Sequence, residues 1–489
     1  MKRTSLQLCL ALCGLVLALH LSAPAAHAAP GRQPNILVIF SDDQGWRDTG
    51  YNGEGYIETP NLDRLAKEGM VFTSGYASAG NCQPSRGCLY SGTYTPRHYV
   101  FAVASTDRGP KQLQRMIPIP NKSGLPVENI TLGDAMKAGG YATGHFGKWH
   151  LGSGPEGTSP AQQGFDVVMD GPHQNAPKDP KSVYKITDAA CEFMEKNKDK
   201  PFFCFVSHHA IHSKVEARDE TLAKFKAKSE KVDSKISPVY AACMYDLDDG
   251  VGILLKKLAD LGLEKDTLVL YTSDNGGTNA SPQEPLRGNK GGYYEGGIRE
   301  PFIVRWAGVV KAGSKCDVPV INIDLYPTFL DAAGIKVPAG KVLDGESIVP
   351  LLKQTGDSGG LKRKAIFWHF PGYLDRPVIR GRDPVFRTRP VSVIRKGDWK
   401  LHLYHEEWQL DGGRGKLDTN NAVELYNLID DIGERKNLAN ANKMKRDELL
   451  DDLLAWFKAT DAPLPTEKNP KYDSEAEGNE KKGKKNKNK

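Results

Sequence analysis

Three short, continuous apolar runs in this chain each end in a group of polar residues. They cover residues 35–40, 202–206 and 267–272, and turn-forming residues bound each of them. Strands that are buried on both faces of a sheet have this pattern, because both rows of side chains must be apolar. The three runs therefore predict inner strands of a largely parallel sheet.

Between and beside these runs, apolar residues recur with the spacing of amphipathic helices. The predicted helices span 59–68, 131–138, 184–196 and 239–261. Strands that alternate with helices favour an α/β sandwich, in which helices flank a central, mostly parallel sheet and the crossovers are right-handed. We expect this large domain to cover residues 33–365.

The pattern changes after residue 352. Four shorter runs predict strands of an antiparallel sheet at 367–370, 391–395, 399–404 and 422–426. Residues 444–457 place four leucines and Phe457 on or near one face, as an amphipathic helix does. We therefore expect a smaller C-terminal subdomain over residues 366–462, with an antiparallel sheet and a packed helix.

The two ends of the chain differ in composition from its middle. Residues 1–28 combine two basic residues, an apolar stretch and the small-residue pattern Ala26-His27-Ala28, which predicts a secretory signal peptide. The alternative is a buried N-terminal helix. A signal peptide implies an exported product, either periplasmic or extracellular. Residues 463–489 are rich in lysine and poor in apolar side chains, so they predict a disordered tail.

The formal net charge of +6 does not indicate a nucleic-acid partner. Two positive charges lie in the predicted signal peptide, and residues 471–489 carry a net +3, so the body of the chain is near +1. No internal apolar run reaches the length of a membrane span. We therefore expect the mature protein to bind no nucleic acid and to have no membrane span.

Carboxylate and amide side chains directly follow two of the predicted strands. Asp42 and Asp43 follow the first strand, and Asp274 and Asn275 follow the run at 267–272. Ligands bind beyond the carboxyl ends of parallel strands, so these side chains are expected to converge there. An all-oxygen set suits a hard cation, Ca²⁺ or Mg²⁺. Taken singly, each pair is more typical of a helix cap or a turn.

Eight separated sequence blocks follow one another along the chain. They are PNILVIFSDDQGW, TPNLDRLAKEGMVFTSGYA, CQPSRGCLYSG, GKWHLG, HHAIHSK, SDNGG, RGNKGGYYEGGIREPFIVRW and a C-terminal block that begins VIRKGDWKL. In these blocks the chain resembles the type I sulfatases of the alkaline phosphatase superfamily, from about residue 34 to about residue 438. The resemblance implies an alkaline-phosphatase-like sandwich and an enzyme that hydrolyses sulfate esters.

Residues 82–86 read Cys-Gln-Pro-Ser-Arg. In the family that this chain resembles, the cysteine of such a segment is oxidised to formylglycine, and Cys82, Pro84 and Arg86 match that signature. One hydroxyl of the hydrated aldehyde attacks sulfur and expels the alcohol, and the other then loses its proton so that sulfate is released. The resemblance implies a formylglycine-generating enzyme, or an equivalent, as a maturation partner. The alternative is a structural cysteine.

The resemblance also implies a metal site. Its expected ligands are Asp42, Asp43, Asp274 and Asn275, with the modified Cys82 completing the coordination sphere. Calcium is the expected ion and magnesium is the alternative. The metal is expected to polarise the sulfate oxygens and to favour the alkoxide form of the nucleophile.

Five further residues match positions that steady the site, hold the sulfate and handle protons. Arg86 is expected to steady the modified side chain and the metal site. Lys148 and Lys290 are expected to hold the sulfate group by their charge. His212 is the expected acid for the leaving group, and His150 the expected partner of the formylglycine hydroxyl.

The chain departs from the family pattern around His212. Ile211 and Lys214 stand where the family usually has proline, and Lys214 is expected to alter substrate contacts. His208 and His209 are additional imidazoles. They either line the substrate pocket or pack at the end of their strand.

The segment 375–390 contains five arginines, at positions 376, 380, 382, 387 and 389. Arginine binds sulfate and carboxylate oxygens through a bidentate fork. The segment therefore forms either a subsite for further anionic groups of a polysaccharide, or a solvated loop whose arginines pair with local acids such as Asp375 and Asp383.

Taken together, these features predict a secreted sulfatase that acts on a sulfated carbohydrate, a polysaccharide or an oligosaccharide. A phosphonate or phosphate monoester hydrolase is an alternative, because relatives share the aldehyde nucleophile and the two kinds of ester differ mainly in charge. A catalytically inactive sugar-binding protein is a third interpretation, and the complete set of expected catalytic residues argues against it.

Overall fold

The computed structural model describes residues 33–477, apart from residues 54, 171–175, 177 and 355–359. The predicted signal peptide at 1–28 and residues 478–489 of the predicted tail lie outside the described residues. The described residues belong to a single compact unit. The change from one large sheet to another falls at Ile366, while the division into domains at this point stays a prediction.

Seventeen strands occur in the described residues. In chain order they are β1 (Asn35–Ser41), β2 (Met70–Phe72), β3 (Gly75–Tyr76), β4 (Ala142–Gly147), β5 (Val167–Met169), β6 (Phe202–Ser207), β7 (Thr267–Ser273), β8 (Arg299–Glu300), β9 (Ile303–Trp306), β10 (Ser314–Cys316), β11 (Val320–Ile321), β12 (Ile366–Phe370), β13 (Leu374–Asp375), β14 (Phe386–Thr388), β15 (Val391–Lys396), β16 (Trp399–Tyr404) and β17 (Val423–Asn427).

Twelve α-helices lie between residues 60 and 460, and residues 474–477 are also helical. They are α1 (Pro60–Glu68), α2 (Cys82–Ser91), α3 (Thr95–His98), α4 (Leu132–Ala138), α5 (Val183–Lys196), α6 (Asp219–Ser229), α7 (Pro238–Asp260), α8 (Glu295–Ile298), α9 (Leu325–Ala333), α10 (Val349–Lys353), α11 (His405–Leu410) and α12 (Lys443–Thr460). Within the described residues, no helix combines the length and the apolar character that a membrane span requires.

The central sheet has eight strands in the order β10-β2-β9-β7-β1-β6-β4-β5. Neighbouring strands from β7 to β5 run parallel, and β9 is antiparallel to both of its neighbours. The carboxyl ends of β7, β1, β6 and β4 therefore lie side by side at one edge of the sheet.

Both faces of this sheet are covered, which explains the continuous apolar runs. In β1, Ile36, Val38 and Phe40 pack in one apolar layer, and Leu37 and Ile39 pack in the other. Helices α4, α9 and α10 contribute to the first layer, and α1, α5 and α7 contribute to the second. The predicted α/β sandwich with a mostly parallel sheet is confirmed.

The second large sheet is antiparallel, with the order β12-β15-β16-β17. Helix α12 packs on it through an apolar row that includes Leu449, Leu450 and Leu453. This arrangement confirms the predicted antiparallel sheet with a packed helix.

A buried group of charges joins α8 to the antiparallel sheet. Lys400 of β16 bonds Glu295 at 2.8 Å and Glu434 at 3.0 Å, and all three side chains have no exposed surface. Burial alone would raise the pKa of Glu295, but Lys400, Arg299 and Arg395 lower it to about 2. Burial raises the pKa of Glu434 to about 7 despite the attraction of Lys400. One of the two carboxylates around Lys400 is therefore held in its protonated form at mildly acidic pH.

Residues 463–477 do not form part of a disordered tail, contrary to the prediction for 463–489. The backbone of Asn469 bonds that of Arg115, and Glu477 forms an ion pair with Arg389 at 2.8 Å. Composition missed this packing, because the segment is held by ion pairs and backbone hydrogen bonds and not by an apolar face.

Candidate active site

The predicted site residues lie beyond the carboxyl ends of four neighbouring strands. The strands are β7, β1, β6 and β4, and the side chains that follow them are those of Asp274 and Asn275, Asp42 and Asp43, His212, and Lys148 and His150. Lys290 reaches the same place from the loop between β7 and α8. The structure thus gathers all of these predicted residues at one edge of the sheet.

Cys82 is the first residue of α2, and it lies in this group. Every residue of α2 is buried, and Cys82 itself is 1% exposed. Burial alone would raise the pKa of the Cys82 thiol, but Lys148, Lys290 and hydrogen bonds from His150 and His212 hold it well below its usual value. The position therefore favours a negatively charged atom.

Arg86 lies one turn along α2 and ties three strand ends together. Its Nε and Nη2 donate to Asp274 Oδ2 at 3.0 and 2.9 Å. Its Nη1 donates to the carbonyl oxygen of Lys148 at 2.8 Å and to Ser207 Oγ at 2.6 Å. Arg86 has no exposed surface, so it acts as a fixed support for the site and does not contact solvent.

The two lysines each bond one carboxylate of the β1 end. Lys148 Nζ donates to Asp42 Oδ2 at 2.6 Å, and Lys290 Nζ lies 2.6 Å from Asp43 Oδ1. Burial alone would lower the pKa of both lysines, but these carboxylates and Cys82 raise it above the ordinary value. Both ammonium groups therefore stay charged at neutral pH beside Cys82.

Four of the side chains are close enough to hold a metal ion together. One ligand atom from each of Asp42, Asp43, Cys82 and His212 lies within 4.8 Å of the others. Among the described atoms, the buried oxygens Asp42 Oδ1 and Asn275 Oδ1 have no hydrogen-bond partner. Burial and repulsion from Asp274 raise the pKa of Asp42 to about 7, and a cation would relieve that repulsion. These residues fit a hard divalent cation.

One predicted metal ligand, Asp274, and one predicted proton-handling residue, His212, need a finer description. Asp274 lies outside that close group, because its Oδ2 pairs with Arg86 and its Oδ1 accepts from the backbone of Asp43 at 3.0 Å. His212 was assigned to proton handling, yet its Nε2 lies in the group, 3.7 Å from Asp43 Oδ2. The contacts of His212 with Cys82 raise its pKa, although burial opposes this shift.

Two site residues have left-handed backbones. Asp43 has φ of 65° and His150 has φ of 67°. For residues other than glycine, such a conformation costs on the order of 1–3 kcal/mol, so surrounding contacts must hold it. No sequence pattern had indicated this backbone conformation at either residue.

The site opens into a cleft with a volume of about 590 Å³. Besides most of the predicted residues, its lining includes Asn81, Arg108, Asp170 and His209. Sequence reasoning missed Asn81, Arg108 and Asp170 as site residues. Arg108 and Asp170 belong to no recognised block, and Asn81 precedes its block by one residue, so chain pattern alone could not identify them.

The two additional imidazoles have different surroundings. His208 is fully buried, lies 3.1 Å from Thr187 Oγ1 through Nε2, and has its pKa lowered to about 4 by burial. It therefore packs at the end of its strand, whereas His209 lines the cleft. Lys214 is 87% exposed, pairs with Glu216 at 3.6 Å, and is not among the described residues that line the cleft.

The arginine-rich segment serves mainly as structure. Arg382 pairs with Glu407 at 2.8 Å, Arg389 pairs with Glu406 at 2.9 Å, and Arg380 donates to the carbonyl oxygen of Leu286 at 2.7 Å. Arg376 is 83% exposed. Among the described residues that line the cleft, Arg387 is the only one of these five arginines.

Comparison with known proteins identifies families and relatives that this chain resembles. A family model described as Sulfatase matches residues 34–335, and a model described as N-sulphoglucosamine sulphohydrolase, C-terminal, matches residues 289–457. A sulfatase from Formosa agariphila is 31% identical, over 92% of this chain and 93% of its own. Arylsulfatase A from Homo sapiens is 31% identical, over 86% of each chain.

A solved structure matches over a similar extent. The crystal structure of Ps i-CgsB superposes with a TM-score of 0.70 at 27% identity, and the match covers 93% of this chain and 98% of that chain. The same protein has been solved in complex with k-i-k-neocarrahexaose.

Proposed function

The chain belongs to the sulfatase family and is a sulfuric ester hydrolase with the alkaline-phosphatase-like fold; on that premise we propose that it is an exported enzyme that removes sulfate from sulfated polysaccharides or oligosaccharides. It acts through formylglycine at position 82 and a hard divalent cation, Ca²⁺ or alternatively Mg²⁺.

The observation that carries this proposal is the set of lysine and histidine side chains around Cys82. Lys148, Lys290, His150 and His212 all lower the pKa of its thiol, although the side chain is almost completely buried. A buried, cation-lined position next to paired carboxylates is suited to an anionic ester and a charged nucleophile. It would serve poorly as the site of an ordinary structural cysteine.

The chain's own residues divide the chemistry among them. Formylglycine would supply a hydroxyl nucleophile, and a bound cation, held by Asp42, Asp43, Asp274, Asn275 and residue 82, would supply polarisation of the sulfate oxygens.

Lys148 Nζ and Lys290 Nζ hold the sulfate by charge, and Arg86 fixes the strand ends from behind. His212 Nε2 gives a proton to the leaving alcohol, and His150 takes up the proton of the residue 82 hydroxyl.

Three lines support a carbohydrate substrate. The cleft of about 590 Å³ has room for more than a sulfate group, and charged side chains line much of it. A relative of 27% identity has been solved with a neocarrahexaose. Export, predicted from residues 1–28, would bring the enzyme to polysaccharides outside the cell.

A paired assay tests this function. The enzyme is produced together with a formylglycine-generating enzyme and is assayed on an aryl sulfate and on the matching aryl phosphate. We expect the kcat/KM for the sulfate to exceed that for the phosphate by at least about 100-fold, or about 2.7 kcal/mol. A preference for phosphate would favour the monoester hydrolase. The absence of turnover, with formylglycine verified by mass, would favour a binding protein.

A further inference from the structure

Arg387 is held at the wall of the active-site cleft by a close backbone contact. Gly291 directly follows Lys290 and has φ of +87°, and a Cβ at this position would collide with Cδ of Arg387. The Nη1 atom of Arg387 also lies 3.4 Å from the carbonyl oxygen of Lys290. Because the aliphatic carbons of Arg387 pack against Gly291, its guanidinium is held next to Lys290, which faces Cys82.

Arg387 has no carboxylate partner among the described residues. Its Nε and Nη1 donate to the carbonyl oxygens of Arg376 and Lys290, both at the long distance of 3.4 Å. Arg382 and Arg389 of the same segment instead pair with glutamates at 2.8 and 2.9 Å. Burial lowers the pKa of Arg387, and the positive charge of Arg108 lowers it further. Its guanidinium thus lacks the anion that such a partly buried group normally has.

A second guanidinium lines the same cleft. Arg108 pairs with Asp375 at 2.6 Å, and Arg376 lies 3.6 Å from the same carboxylate. Asp170 also lines the cleft, but it forms no ion pair with either cleft arginine among the described residues. Arg108 therefore shares its carboxylate with the exposed Arg376, and Arg387 has none, so the positive charge of the two cleft arginines is suited to an anion from outside the chain.

We propose that Arg387, assisted by Arg108, binds a second anionic group of the substrate and so makes the enzyme prefer multiply anionic glycans to singly sulfated ones. The group is a carboxylate or a second sulfate on the same or a neighbouring sugar, which a guanidinium fork binds through two parallel hydrogen bonds. Arg387 also lines an adjoining cavity of about 280 Å³, which provides space beyond the sulfate site. This inference rests on the proposed function.

Four substrates test this proposal. They are an aryl sulfate, a disaccharide whose single sulfate is its only charge, and two disaccharides that carry the same sulfate plus either a carboxylate or a second sulfate. Arg387→Ala is expected to raise KM about tenfold for one or both of the doubly anionic disaccharides, since a charge-assisted hydrogen bond is lost. We expect kcat to change little, and KM for the aryl sulfate to stay within about two-fold. The increase in KM caused by Arg387→Ala is expected to shrink as salt is added. Comparison of the two doubly anionic disaccharides identifies whether Arg387 binds a carboxylate or a sulfate.

Arg376→Ala is the matched control, because this exposed arginine lies in the same segment, 375–390, and its side chain is not among the described residues that line the cleft. It is expected to leave all four substrates within about two-fold. Arg387→Lys, which keeps a positive charge, is expected to restore part of the loss, and thermal melting verifies that each variant folds. Equal losses on all four substrates, or none on any, overturn the subsite. If the subsite fails this test while the wild-type enzyme is active on the aryl sulfate, the proposed function still stands. A wild-type enzyme that is inactive on all four substrates overturns both the subsite and the proposed function.

Discussion

At the residue scale, Cys82 combines two properties that seldom occur together. It is 1% exposed, and its surroundings nevertheless favour a negative charge on its side chain. A buried thiol in apolar surroundings has a raised pKa instead, as Cys204 does in the sheet core. The contrast between the two cysteines supports the reactive role that we propose for Cys82.

Cys82→Ala should fold and lose at least about a thousand-fold in sulfatase activity, because the nucleophile is absent while the sulfate-binding lysines remain. Active wild-type protein should contain formylglycine, which makes the peptide lighter than its cysteine form and reactive toward hydrazides. Mass spectrometry, melting curves and turnover of an aryl sulfate measure these outcomes. Full activity in a sample whose residue 82 is entirely cysteine would contradict the mechanism.

Asp42→Ala should lose bound metal together with turnover, because it removes one of the four converging ligand groups. Metal content is read by elemental analysis of dialysed protein, and calcium or magnesium is expected in the wild type. Asp48→Asn provides a control, since this buried aspartate pairs with Ser281 and Tyr240 and is not in the ligand group. An Asp42 variant with the full wild-type metal content would show that the cation binds elsewhere.

Sequence reasoning identified the site residues through blocks of the chain and could not see their mutual contacts. The fork between Arg86 and Asp274, which lie 188 positions apart, has no counterpart in any local pattern. Arg387 was named in the sequence only as one of five arginines, because partners such as Gly291 and Lys290 come close only in the folded chain.

At the element scale, the strand that positions Lys148 and His150 was missed. Residues 142–147 read Ala-Thr-Gly-His-Phe-Gly, with two glycines and a histidine where the other inner strands have apolar side chains. The element pairs with β6 along its whole length, so its conformation comes from the sheet and not from intrinsic preference. Strands 35–40, 202–206 and 267–272 were predictable because every position in them is buried.

The buried ion group around Lys400 makes stability depend on pH. Glu434 has a pKa of about 7 in the folded protein, above its ordinary value of 4.5. A raised pKa gives stability that is fully present below about pH 4.5 and is lost as pH rises through about 7. Wild-type protein should therefore lose about 1–3 kcal/mol of unfolding free energy from this group over that interval.

Glu434→Gln tests this dependence. The variant should be close to wild type in stability at low pH, because its neutral amide resembles the protonated carboxyl group that residue 434 carries there beside Lys400 and the backbone of Glu295. Between about pH 4.5 and 7, the unfolding free energy of the variant should change less with pH than that of wild type, because residue 434 no longer titrates. Denaturant unfolding at several pH values measures this difference. Glu192→Gln, at a 70% exposed position, should keep the wild-type slope. Equal slopes in wild type and Glu434→Gln would remove Glu434 as the cause.

At the scale of the whole molecule, two truncations test how much of the C-terminus the fold requires. Ending the chain at Glu477 should leave the unfolding free energy within about 0.5 kcal/mol of wild type, because the lysine-rich composition of residues 478–489 predicts a disordered tail. Ending it at Pro470 removes Glu477 from the buried Arg389, and should cost about 1–3 kcal/mol. Chemical unfolding measures both. Equal stabilities would show that 471–477 contributes nothing to the fold.

The burial of Cys82 has a consequence for how the active enzyme is made. Every residue of α2 is buried once the chain is folded, and Cys82 is 1% exposed at the base of the cleft, so another enzyme cannot draw this segment into its own active site in the finished protein. If this cysteine is converted to formylglycine, as proposed, the conversion has to occur while the nascent chain is still open. Folding and modification then compete in time, and the active fraction of a preparation is set during synthesis. Slower folding or more modifying enzyme should raise that fraction, whereas treating the folded protein afterwards should not.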